Sequence, residues 1–183
     1  MYFVLLILLA IFFVLILQYS RYFFKKIVLM KRLKILCKNN GLKITVVNKL
    51  WAFSGIGSTN CDMYIVAPVR VYSIKICGVL STATQLKFID DTTYGVRTVR
   101  SLYSREKQYT IRKKRPYNFR YNFPSEAYLK ENIQIMCMCP VACSIVMTND
   151  ELRLVGNGDD IGECLFYTRS GLIERIKNDL DSV

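Results

Sequence analysis

Apolar positions run almost without interruption through the first twenty residues, MYFVLLILLAIFFVLILQYS, where no side chain is charged. The pattern then changes abruptly, with Arg21, Lys25, Lys26, Lys31, Arg32, Lys34 and Lys38 following and no acid among them. A run of this length matches the roughly 20 helical residues that cross about 30 Å of hydrocarbon, where backbone amides must be bonded within their own segment. It predicts an N-terminal transmembrane helix over 1–20. With the nearby cations all on the C-terminal side, the positive-inside tendency predicts a single-pass protein of the cell membrane whose C-terminal domain is cytoplasmic. A cleaved signal peptide would require a charged n-region, a shorter apolar core and small residues at its cleavage site, and the sequence has none of these.

Beyond the anchor, Phe23, Ile27, Met30, Leu33 and Cys37 recur at helical spacing, and Asn39-Asn40-Gly41 supplies a stop. This predicts a basic juxtamembrane helix over 21–40, either separate from the first helix or continuous with it. Residues 42–49 form a β-branched run that reads as a strand. Pro68 divides the next runs into a hairpin with arms 60–67 and 69–77, since proline cannot donate to a central ladder. Residues 79–132 show no sustained period, apart from a strand or loop at TATQLKFIDD and a short helix over 125–132. Four strand-like runs follow, IQIMCMC, ACSIVMTN, ELRLV and GECLFYT, joined by short turns and predicted to form a β-meander. Ser170 then caps a last helix with Leu172, Ile173, Ile176 and Leu180 on one face. The expected fold class is mixed α/β: the anchor, the basic helix and one mixed-sheet domain over 41–183, ending in the meander and the terminal helix.

The net charge of +12 is local. Residues 97–120 carry nine basic side chains against Glu106 alone, whereas residues 121–183 carry five basic and ten acidic ones. A basic segment beside a membrane is attracted to anionic lipid head groups by about 1 kcal/mol per residue near the surface. The stretch 97–123 interleaves Arg97, Arg100, Arg105, Lys107, Arg112, Lys113, Lys114, Arg115 and Arg120 with Tyr103, Tyr109, Tyr117, Phe119, Tyr121 and Phe123. Three readings stand for it: a solvated surface, a contact with membrane or a cytosolic protein partner, or a nucleic-acid interface in which rings stack on bases. Arg112, Lys113, Lys114 and Arg115 are its candidate binding residues.

Seven cysteines in a reducing compartment read as buried thiols. Cys137, Cys139 and Cys143 lack the turn-like spacing of a structural zinc site, and the chain has no histidine to complete one. The same lack of histidine removes the usual general base at neutral pH and the common hydrolase triads. No phosphate-cradling or nucleophile-elbow motif is present.

One constellation remains. Helix 21–39, strand 42–49 and a hairpin bearing Asp62 on one arm and Ser73-Ile74-Lys75 on the other resemble the core of the restriction-endonuclease-like (PD-(D/E)xK) family. That resemblance, over residues 27–78, implies a catalytic set of Asp62, position 73 and Lys75, in which two carboxylates hold Mg²⁺ and the lysine helps activate water. Ser73 departs from it by replacing the second carboxylate, so the resemblance implies an inactive relative. Cys139-Pro140-Val141, Gly158-Asp159, Phe166-Tyr167-Thr168 and Gly171-Leu172-Ile173 also resemble the tail pattern of membrane-anchored Firmicutes proteins, a likeness that brings no function with it. The sequence therefore favours a membrane-anchored, non-catalytic binding or scaffold protein with no cofactor and no metal. The alternative is a membrane-tethered nucleic-acid-binding or nuclease-like protein using Mg²⁺.

Overall fold

A computed structural model describes residues 2–47, 56–57, 60–79, 81, 83–98, 108–149 and 151–181. Helix α1 (Tyr2–Asn39) runs through both predicted N-terminal helices without a break. Among the described residues no helix is long and apolar enough to cross a membrane, so the span expected over 1–20 is not shown. In that part of α1 the side chains of 3–14 are apolar and exposed.

The second half of α1 belongs to the core. Leu29, Met30, Leu33 and Cys37 are buried, while Lys31, Arg32, Lys34 and Lys38 face solvent. The buried stripe is turned slightly from the expected one: Ile27 is exposed and Lys26 is buried in its place. The helix ends where Gly41 adopts φ 65°, which lets the Leu42 amide return to the Cys37 carbonyl at 2.8 Å.

Two five-stranded sheets follow. The first, ordered β1-β2-β3-β7-β10, contains β1 (Lys43–Val46), β2 (Met63–Val66), β3 (Arg70–Cys77), β7 (Glu131–Met138) and β10 (Leu165–Thr168). Strands β1, β2 and β3 pair antiparallel, and β7 and β10 add in parallel. Pro68 and Val69 form the turn of the β2–β3 hairpin, closed by the Ala67 amide on the Arg70 carbonyl at 2.9 Å. The second sheet, ordered β6-β5-β4-β8-β9, contains β4 (Thr84–Asp90), β5 (Thr93–Thr98), β6 (Thr110–Lys113), β8 (Ser144–Asn149) and β9 (Glu151–Leu154). A short 3₁₀ turn, Ser125–Ala127, precedes β7, and helix α2 (Arg169–Asp181) ends the described chain.

The fold is thus mixed α+β, in three layers. One face of the first sheet, carrying Met63, Ile65, Ile74, Ile76, Ile135 and Cys137, packs on α1 and α2. Its other face places Cys77, Met136, Met138 and Phe166 against Leu86, Phe88, Ile145 and Met147 of the second sheet.

The expected β-meander does not form. Its four strands exist, but β7 and β10 join the first sheet whereas β8 and β9 form a hairpin in the second. The chain crosses between layers at 139–143 and returns after β9. Both faces of β7 are covered toward its C-terminal end, and a strand buried on both sides favours parallel neighbours with crossover connections over a hairpin to the next strand. The aperiodic region contains two unforeseen strands, β5 and β6, and its strand-or-loop run is the strand β4.

Candidate functional site

The hairpin brings the sequence candidates together. Asp62 immediately precedes β2 and is held in the ladder by its amide, which donates to the Ile74 carbonyl at 3.0 Å. Met63 pairs with Ile74, so Asp62 lies across from Lys75 on the next strand. The Lys75 ammonium stands 3.1 Å from Asp62 Oδ2 and donates to the Asn60 carbonyl at 2.7 Å. The Ile76 amide donates to the same Asp62 oxygen at 2.7 Å, and Lys26 of α1 approaches Oδ1 at 3.9 Å. Asp62, Lys75 and Lys26 are only 3%, 0% and 2% exposed, so the cluster is closed to solvent.

Its cover is built by the chain around 117–121. The Cys61 amide donates to the Asn118 carbonyl at 3.1 Å, and the Tyr64 hydroxyl donates to the Tyr121 carbonyl at 2.6 Å. Ser73 is also buried, standing in register between Tyr64 and Gln134, and its hydroxyl donates to Asn132 Oδ1.

These residues do not fit Mg²⁺. Asp62 is one carboxylate whose Oδ2 is committed to Lys75 and a backbone amide, and the hydroxyl of Ser73 supplies no negative charge. Among the described residues no three acidic, cysteine or histidine side chains are grouped to hold a metal. The buried thiols are held protonated: burial raises Cys37 and Cys61 to about 11 and Cys77 to about 12. Lys26 moves the other way. Burial lowers its pKa, an effect that Asp62 opposes and Lys75 reinforces.

The four binding candidates separate. Arg112 and Lys113 are exposed on edge strand β6, and Arg115 is exposed just beyond it. Lys114 turns inward, 3.1 Å from Glu163, donating to the Asp91 carbonyl and lying 4.1 Å from the centre of the Tyr117 ring. Glu163 also accepts from the Tyr117 amide at 2.8 Å, so Lys114 anchors this segment to the loop before β10. Arg100, Arg105, Lys107 and Tyr103 lie outside the described residues.

Comparison with protein-family models, curated proteins and solved structures finds no match. The site is therefore read from its own chemistry. Sequence reasoning missed Lys26, because a lysine one place off an apolar stripe reads as solvated. It also missed a cavity of about 280 Å³ where α1 meets the start of α2, lined by Lys25, Cys139, Pro140, Thr168, Arg169 and Ser170. Lys25 and Arg169 are far apart in sequence, and no spacing links them.

Proposed function

We propose that this chain is a membrane-anchored, non-catalytic binding or scaffold protein of the cell membrane, with its domain in the cytoplasm. The observation that carries the non-catalytic part is the closed Asp62–Lys75–Lys26 cluster, which among the described residues has neither a second carboxylate nor an opening for a scissile phosphate. The uncharged sequence over 1–20 and the exposed apolar side chains of 3–14 support the anchor. Because α1 continues into the core, the anchor would hold the domain in a fixed orientation without a flexible linker.

That orientation limits which cations reach the leaflet. At 1.5 Å per residue, Lys38 lies about 27 Å beyond residue 20, well past the roughly 8 Å screening length of physiological salt. Lys25 lies only about 7 Å beyond it, so electrostatic contact falls to the first turns after the anchor.

Two measurements on the full chain test this. It should remain with membranes through alkaline carbonate extraction, and release into the supernatant would remove the anchor. Cys143, an exposed thiol, should resist a membrane-impermeant maleimide in intact cells and react once they are opened; labelling in intact cells would place the domain outside.

A second reading, a nuclease-like or nucleic-acid-binding protein, is favoured by one observation: Asp62 and Lys75 meet across neighbouring strands behind a helix, as the endonuclease-like resemblance expects. Cleavage of DNA or RNA by the full chain with Mn²⁺, abolished in Lys75→Met, would establish it over the first.

A further inference from the structure

The cavity between α1 and the start of α2 is lined by two cations. Its charged lining is Lys25 and Arg169, both half-buried, with no acid among the described residues of its wall. Neither forms an ion pair among the described residues, in contrast to Lys26, Lys75, Lys114 and Arg70, each of which faces a carboxylate. Arg169, Lys25 and Lys26 converge on the Cys139 thiol closely enough to pull its pKa down, although burial outweighs them and leaves it raised. Two half-buried cations lining one wall with no carboxylate partner among the described residues favour a bound anion. Ser170 and Thr168 add hydroxyls to the wall. A volume of about 280 Å³ suits a small anionic group and lies below the range of drug-sized ligand pockets.

Its depth points to the source of the anion. The polar layer on each side of a bilayer is about 5–8 Å thick, and Lys25 sits about 7 Å past the end of the apolar run. We propose that this cavity binds a phosphate ester, and that the ester is the head group of an anionic phospholipid in the leaflet the helix enters. The phosphate chemistry stands on the cavity alone; the lipid source rests on the anchor reading above.

The test uses the full chain in an uncharged detergent, titrated with dioctanoyl phosphatidylglycerol, dioctanoyl phosphatidylcholine and inorganic phosphate, with binding read by native mass spectrometry. Phosphatidylglycerol should bind more tightly than phosphatidylcholine. Lys25→Gln and Arg169→Gln should each weaken it about tenfold, while Lys177→Gln, on the exposed face of α2, should leave it unchanged. Neither lining cation has an ion-pair partner among the described residues, so both variants should keep the parent circular-dichroism melting profile, and either alone suffices should the other fail to fold. Binding within twofold of the parent in both lining variants, or equal loss in Lys177→Gln, would overturn the site. Inorganic phosphate binding as tightly as the lipid would overturn the lipid source and leave a soluble phosphate ester as the ligand. Phosphatidylglycerol binding by a chain that carbonate extracts from membranes would refute the anchor and leave the cavity's chemistry intact.

Discussion

At the scale of single residues, the distances around Asp62 decide which lysine matters. Lys75 lies within hydrogen-bond range at 3.1 Å, whereas Lys26 stands at 3.9 Å and has its pKa lowered by burial. Removing one partner of a buried pair leaves an uncompensated charge, which costs about 3–5 kcal/mol. Asp62→Ala strands two buried ammonium groups, so its melting temperature should fall by on the order of 10 °C. Lys26→Met leaves Asp62 its partners Lys75 and the Ile76 amide, and should change stability by less than about 1 kcal/mol. Equal losses in the two variants, measured by thermal unfolding of the full chain, would show that the three charges act as one unit. The Asp62–Lys75 pairing was legible in the hairpin pattern. Its closure was not, because the covering residues 117–121 lie more than forty positions along the chain.

Among the elements, α2 shows how a local signal can be displaced by two residues. Ser170 was the expected cap, yet the oxygen that receives the Gly171 amide is Thr168 Oγ1, at 3.2 Å. Thr168 ends β10 and is bonded through its own amide to Asn157 Oδ1 at 2.7 Å, so the strand end and the helix start share one residue. Gly171 is required beside it: a Cβ there would approach the Asn157 carboxamide to 2.4 Å. Thr168→Ala should therefore destabilise by about 1 kcal/mol, and Ser170→Ala by a few tenths at most, when their melting curves are compared. A larger effect at Ser170 would return the cap to the position expected from sequence. The strands at 131–168 were likewise visible as runs of β-branched and apolar residues. Their division between two sheets was not, since period-2 patterning specifies a strand and never its neighbour.

For the whole molecule, the distribution of buried titratable groups sets the response to pH. Cys37 and Cys61 hold their protons to about pH 11 and Cys77 to about 12, whereas unfolded thiols ionise near 9. Their folded pKa values are raised, so the stability they contribute is complete below pH 9 and is lost as pH rises toward 11–12. Lys26 has the opposite sign: its folded pKa is depressed, and stability tied to it recovers as pH rises toward 10.5. Burial also raises Cys137, Cys139 and Cys164, so six thiols against one lysine give a net loss, and the melting temperature should fall steadily between pH 9 and 11. Cys37→Ala should make that fall shallower even if it lowers stability at pH 7. A melting temperature that rises over this range would mean that the lysine outweighs the thiols.

The sequence by itself determined the separation of a charge-free segment from a basic one, the helix at 21–39, the β2–β3 hairpin about Pro68 and the terminal helix. Each is written in contiguous residues through periodicity, turn chemistry or charge, all of which act over a few positions. Only the tertiary structure decided that Lys26 and Lys114 turn inward, that β7 and β10 leave the company of β8 and β9, and that Lys25 and Arg169 share one cavity. Those outcomes depend on which surfaces bury each other, and burial is settled by packing between segments distant in the chain, where a lysine next to an apolar stripe faces a carboxylate or water according to what lies opposite it.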